Sequence, residues 1–385
     1  MKIRLPTDAG KLEDYKLTGE PIAARKPRKP WNRIAFAAAH VVADPLNSGS
    51  PSGPPAIDWK GTIAYRRYLL NLGFGIAEAM DTSQRGMGLD WPSALELIRR
   101  SLDDAGRENA HRIYSGCGTD HLDPSAARSL DDVIRAYREQ LHAIQKLGGR
   151  VIFMASRALA RVAKAPDDYV KVYSSVLKDA DHPVIFHWLG EMFDPALKGY
   201  WGADAFAPAM ETCLATINAC APKVDGIKIS LLDETKEVMM RHRLPPDVKM
   251  YTGDDFNYVG LIAGDAKGHS HALLGIFDAI APAASVALSA LAQGDVATFS
   301  KILAPTVPLS RLIFQAPTQF YKTGVVCLAW LNGHQDHFIM VGGAQSQRPV
   351  TYFAGLFRLA DQAGLLRKPE LAAMRMKQLL ALYGV

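Results

Sequence analysis

The sequence predicts a single (β/α)8 barrel with an N-terminal extension and a helical C-terminal appendage. Three observations support this α/β fold class. Short apolar runs alternate with longer amphipathic stretches eight times from Asn32 onward, as in a parallel strand–helix series. The runs are apolar throughout, which is typical of strands covered on both faces. The chain of 385 residues also has room for a barrel, which fills about 250 residues. We therefore expect an extension at residues 1–31, a barrel at residues 32–292 and a helical region at residues 293–385.

Each repeat consists of one predicted strand and one predicted helix. The strands are Arg33–Val42, Phe74–Met80, Arg112–Gly116, Val151–Met154, Pro183–His187, Val224–Ser230, Val248–Thr252 and His271–Ile276. The helices are Gly61–Leu72, Trp91–Ala105, Leu130–Leu147, Asp168–Leu177, Phe206–Cys220, Glu234–Arg241, Asn257–Ala263 and Ala281–Leu291. Two long connections stand out. Asp44–Ile57 is rich in Pro, Gly and Ser and predicts a loop, whereas the aromatic insertion Leu189–Ala205 is predicted to be either a lid over the catalytic face or a structural elaboration.

Composition narrows the class of protein. Four cysteines without a C-x-x-C pair, no membrane-length apolar run and no secretory leader favour a cytoplasmic protein. A basic cluster is the densest charge in a chain of net charge +5. It predicts either a phosphate-binding arm or a solvated, extended leader, and we favour the leader; the cluster comprises Arg25, Lys26, Arg28 and Lys29. Since no basic stripe is interleaved with aromatic residues, we expect no nucleic-acid partner.

Lys228 is the residue with the strongest chemical signal. It lies between Ile227 and Ile229 in a short apolar strand, so the alternation of a strand points it to the opposite face from the two isoleucines. A lysine in such a strand is costly unless it is paired, solvated or deprotonated. Inside a barrel, desolvation lowers its pKa and makes it a nucleophile toward carbonyl groups. The alternatives are an exposed edge position or a structural salt bridge.

The segment from Asp225 to Ala284 resembles the dihydrodipicolinate synthase and N-acetylneuraminate lyase superfamily of class I aldolases. The shared features are a G-I-K strand, a G-D-D turn, a glycine-containing eighth strand and an Ala-rich helix, found here as Gly226-Ile227-Lys228, Gly253-Asp254-Asp255, GHSHALLGI and DAIAPAA. Weaker similarity reaches back to Asn32 and forward to ADQAGLL. The resemblance implies an imine on Lys228, a role for Gly275 near the substrate-facing backbone, and a homodimer or homotetramer.

The sequence departs from the family pattern at three places. The G-T-T-G-E segment that holds the pyruvate carboxylate is replaced by Asp81-Thr82-Ser83-Gln84-Arg85, and an aspartate there would repel a carboxylate unless Arg85 compensates. The fifth-strand tyrosine that shuttles protons aligns with Phe186, which cannot do so. Its neighbour His187 has suitable chemistry, but it would need a bulge or a shift of one residue. Otherwise His187 is a buried structural histidine. The second family tyrosine is replaced by Ser156-Arg157.

Several polar residues lie at predicted strand ends. They are Asp120, His121, Asp254, His269 and His271. Such groups suit a hydroxyl-bearing substrate, which favours a polyhydroxylated keto-sugar over a keto acid. Asp254 has the alternative of capping the next helix. The predicted substrate-binding residues are therefore Asp81, Thr82, Ser83, Asp120, His121, Asp254, His271 and Gly275.

We conclude that the sequence predicts a Schiff-base-forming lyase, an aldolase or a dehydratase, with Lys228 as nucleophile and His187 as general acid and base. Two alternatives remain open. The first is a metal-dependent barrel aldolase or isomerase that uses Asp120, His121, His187, His269 and His271. The second is a non-catalytic sugar-binding barrel. No organic cofactor is expected, because no dinucleotide or P-loop motif is present.

Overall fold

The computed structural model describes residues 1–47 and 53–385, so part of the predicted loop Asp44–Ile57 lies outside the described residues. The strands are β1 (Lys2–Pro6), β2 (Leu12–Lys16), β3 (Ala35–Ala38), β4 (Gly75–Glu78), β5 (Ile113–Cys117), β6 (Arg150–Phe153), β7 (Val184–Leu189), β8 (Val224–Ser230), β9 (Lys249–Thr252) and β10 (His271–Leu274). Strands β3 to β10 form a closed parallel barrel in the order β10-β3-β4-β5-β6-β7-β8-β9. The predicted (β/α)8 fold is confirmed.

Helices follow the barrel strands and continue into the C-terminal region. The barrel helices are α1 (Trp59–Asn71), α2 (Trp91–Asn109), α3 (Leu130–Lys146), α4 (Arg157–Val162), α5 (Pro166–Leu177), α6 (Phe206–Cys220), α7 (Glu234–Arg241), α8 (Tyr258–Ala263), α9 (Ile276–Ala279) and α10 (Ala281–Leu291). The C-terminal helices are α11 (Val296–Leu303), α12 (Val307–Ile313), α13 (Tyr321–Leu331), α14 (Val350–Gln362) and α15 (Pro369–Leu382). No helix in the described part of the chain is long and apolar enough to span a membrane.

The alternation of side chains along the strands separates two hydrophobic cores. A small cluster inside the barrel contains Phe36, Tyr114, Ile185 and Tyr251, with other residues from the same strand faces. The larger core lies between the strands and the helices and contains the alternate residues, among them Phe186. Residues that share a face with the small cluster therefore point into the barrel.

The first part of the N-terminal extension is folded, which the sequence did not predict, whereas the basic cluster lies in an exposed segment without helix or strand, as expected for a solvated leader. Strands β1 and β2 form an antiparallel hairpin that packs on α14, where the Tyr15 hydroxyl donates to Asp361 Oδ2 at 2.8 Å and Arg358 donates to backbone carbonyls of the hairpin. The basic side chains themselves are exposed. The arm that carries them ends at Trp31, whose Nε1 donates to Ser289 Oγ at 3.0 Å.

A buried ion pair holds the C-terminal ends of β3 and β4 together. Glu78 accepts hydrogen bonds from Arg66 Nε at 3.0 Å, from Arg66 Nη2 at 2.8 Å and from Ser101 Oγ at 2.6 Å. Arg66 also donates to the carbonyls of Ala39 and His40, just after β3. Both charged side chains are almost completely buried. Each of the two charged groups is therefore stabilised by the other in place of water.

We expect Glu78→Ala to lower the free energy of unfolding by about 3–5 kcal/mol, because it leaves the Arg66 charge buried without a counter-ion. Urea denaturation measures this change. The control is Glu211→Ala, which breaks an exposed pair with Arg243 and is expected to cost about 1 kcal/mol or less. Equal losses in the two variants would show that the buried pair does not stabilise the barrel.

Candidate active site

Lys228 projects from β8 into the barrel. The isoleucines on either side of it belong to the outer core, so the lysine lies on the inner face, as the alternation predicts. Its side chain is 6% exposed, and it passes over Gly253, where a Cβ atom would lie 2.8 Å from Lys228 Cε. Burial lowers the pKa of the Lys228 ammonium, and the carboxylates of Asp81 and Asp255 oppose this shift. Within the described residues, no ion pair or hydrogen bond holds its Nζ.

His187 lies beside Lys228 on the neighbouring strand. The two residues are paired in register between β7 and β8, and His187 shares the inner face with Ile185. The alignment that placed Phe186 at the shuttle position is therefore wrong, because Phe186 packs outward. The bulge or one-residue shift that the alignment required at His187 is therefore absent; the register shift of this strand pair lies between Val184 and Ile185, where β8 carries one extra residue. No shift at His187 itself is needed.

The imidazole of His187 is neutral and has one free nitrogen. Burial, followed by the charge of Lys228, holds its pKa well below the usual value. Its Nε2 lies 3.1 Å from Ser230 Oγ, whereas its buried Nδ1 has no hydrogen-bond partner among the described residues. A neutral imidazole with a free nitrogen can accept or relay a proton.

A cavity of about 160 Å³ opens at the C-terminal end of the barrel beside these residues. Asp81, Met154, His187, Phe193 and Lys322 are among its lining residues. Lys228 itself does not line this cavity, whereas Asp81 and His187, the register partner of Lys228 on β7, do. A molecule in the cavity therefore contacts the histidine and the aspartate.

Two carboxylates face Lys228 from different strands. Asp81 follows β4, lines the cavity and has no hydrogen bond or ion pair from its carboxylate within the described residues. Asp255 follows β9, is almost completely buried and accepts a hydrogen bond from the Ile276 backbone N–H at 2.8 Å. Burial raises the pKa of Asp255, and the charge of Lys228 opposes this shift. The G-D-D motif contained Asp255, but sequence reasoning did not single out its carboxylate.

The C-terminal region supplies two residues that sequence reasoning missed. Tyr321 begins α13, and its hydroxyl lies 2.7 Å from Thr82 Oγ1. Lys322 lines the cavity, is 4% exposed and donates to the Gln319 carbonyl at 3.0 Å. Burial lowers the pKa of Lys322 to about 8, and Asp81 opposes the shift. No local motif marks either residue, because they reach the barrel mouth through tertiary packing.

The two predicted hydroxyl ligands are engaged within the protein. Thr82 is bonded to Tyr321, as above, and Ser83 Oγ donates to the Ala39 carbonyl at 2.9 Å. Both side chains are buried and belong to a short 3₁₀ turn, Asp81–Ser83. The structure therefore uses these hydroxyls to fix the turn, and Asp81 is the member of the turn that faces the cavity.

Arg85 and Asp120 form a bidentate pair at the cavity wall. Arg85 Nε lies 2.7 Å from Asp120 Oδ2, and Arg85 Nη2 lies 2.8 Å from Asp120 Oδ1. Although burial of Asp120 acts in the other direction, the Arg85 charge and hydrogen bonds lower the pKa of this carboxyl. Arg85 therefore neutralises Asp120 rather than compensating for Asp81. His121 points away from the cavity to Gln140 and Glu139.

Three further predicted site residues do not reach the cavity. Asp254 closes the turn after β9 by accepting from the backbone N–H groups of Phe256 and Asn257. Its role is structural, but it does not cap α8, whose N-cap residue is Asn257. His271 is the first residue of β10, at the opposite end of the barrel, and its Nδ1 accepts from Ile34 N at 3.0 Å. Gly275 lies against the rings of Phe314 and Tyr321, so it borders the mouth without lining the cavity.

The insertion Leu189–Ala205 covers one side of the cavity. Leu189, Phe193, Asp194 and Leu197 line it, and Asp194 is held by Arg157 Nε at 2.6 Å. The second half of the insertion is packed into the core, with Trp201 1% exposed. The insertion therefore forms a cover over the cavity that is anchored on its C-terminal side.

The residues of the metal hypothesis are spread over the barrel. His187 lies in the barrel interior. Asp120 and His121 both contact Gln140 at the C-terminal end. His269 packs beside His271 near the N-terminal end. In residues 1–47 and 53–385, no group of three or more His, Cys, Asp or Glu side chains is arranged to hold a metal ion. The ligand set predicted from the sequence is therefore not assembled.

The (β/α)8 fold is similar to that of several solved dihydrodipicolinate synthases and their relatives. Dihydrodipicolinate synthase from Aquifex aeolicus is similar with a TM-score of 0.66 at 12% identity, over 87% of this chain and 99% of that one. A second similar structure is YagE, a prophage protein of the dihydrodipicolinic acid synthase family from E. coli K12, solved in complex with pyruvate. Its TM-score is 0.67 at 14% identity, over 87% of this chain and 99% of that one. Dihydrodipicolinate synthase from Thermotoga maritima has a TM-score of 0.65 at 14% identity, over 88% of this chain and 100% of that one. Identities this low show the fold alone.

The chain belongs to the family described as "Protein of unknown function (DUF993)", whose model matches residues 3–385. No curated protein matches the sequence.

We expect Asp81→Asn to move the reactivity of Lys228 and Lys322 to lower pH. The Asp81 carboxylate favours the charged form of both lysines, so its removal lowers both pKa values and populates the neutral amine at lower pH. Competitive acetylation across a pH series, read by peptide mass spectrometry, measures both midpoints.

The exposed Lys171 is the internal reference in the same digest, and its midpoint is expected to stay unchanged. Asp247→Asn, at an exposed position, is the matched variant. A shift to higher pH, or an equal shift in Asp247→Asn, would contradict the placement of Asp81 beside the two lysines.

Proposed function

We propose that this protein is a Schiff-base-forming lyase of the class I aldolase type, with Lys228 as the nucleophile. The observation that carries the proposal is the pairing of Lys228, desolvated inside the barrel, with a neutral His187 in register on the next strand. Burial favours the neutral amine, which is the form that attacks a carbonyl carbon. The resemblance of the G-I-K strand to that superfamily supports the same assignment.

The proposed reaction begins when Lys228 Nζ adds to the substrate carbonyl carbon. Loss of water from the resulting carbinolamine gives an iminium ion, whose nitrogen accepts the electron pair of the bond that breaks next. In cleavage this is the bond between the α- and β-carbons: the proton of the β-hydroxyl goes to His187, the carbonyl fragment leaves, and His187 returns the proton to the α-carbon of the enamine. In dehydration the α-proton goes to His187, the resulting enamine expels the β-hydroxyl, and that group takes the proton from His187 and leaves as water. Hydrolysis of the imine then releases product and restores the amine.

A polyhydroxylated keto-sugar is the substrate class that we propose. The cavity presents the Asp81 carboxylate without a counter-ion in contact, which disfavours a carboxylate at that position but can accept hydrogen bonds from hydroxyl groups. YagE holds pyruvate in a barrel of this fold. Here, the hydroxyls of Thr82 and Ser83 are engaged with Tyr321 and the Ala39 carbonyl, so they are not free to bind a pyruvate carboxylate.

The non-catalytic sugar-binding barrel is the remaining alternative. This alternative does not explain why Lys228 is buried, and burial of an amine that is held by no hydrogen bond lowers the stability of the protein. As a further part of the proposal, the enzyme acts in the cytoplasm as a homodimer or homotetramer. The resemblance and four free, buried cysteines support this part.

We expect borohydride to trap a substrate-dependent adduct on Lys228 when the protein is mixed with keto-sugars, with weaker trapping by simple keto acids. Intact mass and peptide mapping locate the adduct. Lys322→Ala is the matched control, since Lys322 is a second buried lysine beside the cavity, and its removal should leave the Lys228 adduct in place. No adduct with any carbonyl compound, from protein shown to be folded, would reject the imine mechanism. An adduct without turnover would favour the binding barrel.

We expect His187→Gln to lower kcat by about 10²–10⁴-fold, the range for loss of a general acid or base, while imine trapping on Lys228 continues. The reason is that His187 moves the proton and Lys228 forms the covalent bond. Steady-state kinetics on the trapped carbonyl compound, together with the trapping yield, separate the two steps. An unchanged kcat would remove His187 from the mechanism.

A further inference from the structure

A second, larger cavity lies at the N-terminal end of the barrel, opposite the candidate active site. Its volume is about 730 Å³, which falls in the range of small-molecule sites. The arm of residues 26–31 forms one wall, and residues near the starts of β3, β4, β5, β6 and β9 form the others. The ring centroid of Phe36 lies 5.0 Å from that of Tyr114 and 6.1 Å from that of Tyr251. The three rings line the inner end of this cavity.

The lining of this cavity is strongly positive. Six of its described residues are lysines or arginines without a carboxylate partner within 4.0 Å, namely Lys26, Arg28, Lys29, Arg33, Arg112 and Arg150. Asp225 is the single acidic residue of the described lining. It is already engaged, because Lys249 Nζ and the Tyr251 hydroxyl each lie 2.6 Å from its carboxylate. The cavity therefore has an excess of positive charge with no internal counter-ion.

The cationic walls are built into the fold. Arg33 Nε donates to the Ile262 carbonyl at 2.8 Å, and Arg112 Nη2 donates to the Phe74 carbonyl at 2.6 Å. Carbonyl partners orient a guanidinium but leave its full charge. Burial lowers the pKa of both groups, which is the cost of keeping uncompensated charge there. A bound anion would remove this cost.

The arm is held close to the barrel by a tight contact. Gly73 has φ +100, and a Cβ atom there would lie 2.7 Å from Pro27 Cγ and 2.8 Å from Trp31 Cζ2. Pro27 and Trp31, which lie before and after the segment with Arg28 and Lys29, therefore pack against the barrel. Because of this contact, the basic side chains stay at the rim of the cavity.

We propose that this cavity binds a small molecule carrying two or more phosphate groups. The six cations carry more positive charge than one bound carboxylate would balance. Three of them are arginines on the barrel wall, and each guanidinium group can donate two parallel hydrogen bonds to phosphate oxygens. The cations are grouped around one recess of about 730 Å³, which favours a small molecule over nucleic acid, whose binding needs an extended basic surface. This proposal does not depend on the lyase function.

The test is isothermal titration calorimetry with inorganic tripolyphosphate in metal-free buffer at low salt. We expect binding that weakens as salt increases and a higher Tm with ligand. The variant Lys26→Ala/Arg28→Ala/Lys29→Ala is expected to raise Kd by about tenfold or more, and Arg150→Gln is a second variant on another wall. Lys228→Ala should bind as the unaltered protein does, which separates this site from the proposed chemistry.

The matched control is Lys171→Ala/Lys301→Ala/Lys377→Ala, which removes the same charge from exposed positions elsewhere and should leave Kd nearly unchanged. Three results would overturn the proposal. They are no binding of tripolyphosphate at low salt, an equal loss in the two triple variants, and tighter binding of a single-stranded oligonucleotide than of tripolyphosphate.

Discussion

The burial of one amine organises the C-terminal end of the barrel in this protein. Lys228 lies inside the barrel with its ammonium removed from water, and such a charge costs several kcal/mol unless neighbours compensate or the proton leaves. The carboxylates of Asp81 and Asp255 compensate in part, and both depend on turns directly after barrel strands. Gly253 provides the space that the lysine side chain needs. Closure of the barrel is thus a condition for this arrangement, because it brings these turns together.

The C-terminal helices complete the site. Tyr321 and Lys322 belong to α13, which begins 30 residues after the last barrel helix, α10, ends. Nevertheless Tyr321 contacts the turn after β4 and Lys322 lines the cavity. Gly275 allows this approach by leaving space for the rings of Tyr321 and Phe314. The region from residue 293 onward is therefore part of the site and not a separate appendage in function.

The sequence predicted the barrel and the orientation of Lys228, because strand alternation is a local property that one residue pattern records. It assigned Phe186 to the inner face of β7, whereas the alternation of that strand turns Phe186 outward and His187 inward. It also proposed His271, His121 and Asp254 as ligands from their nearness to strand ends. Whether such a residue faces the cavity depends on which end of the strand it occupies and which internal partners it finds. Tyr321 and Lys322 depend on long-range packing, which no short motif encodes.

The hairpin of β1 and β2 gives the chain an order of assembly. Its docking surface is α14, about 345 residues away in sequence, through contacts such as Tyr15 with Asp361. During synthesis the hairpin leaves the ribosome before the barrel, whereas its partner helix follows after it. The hairpin must therefore remain undocked while the barrel forms, and its two buried side chains Ile3 and Leu5 stay exposed to water until then. A contact of this separation closes late and slows the final step of folding.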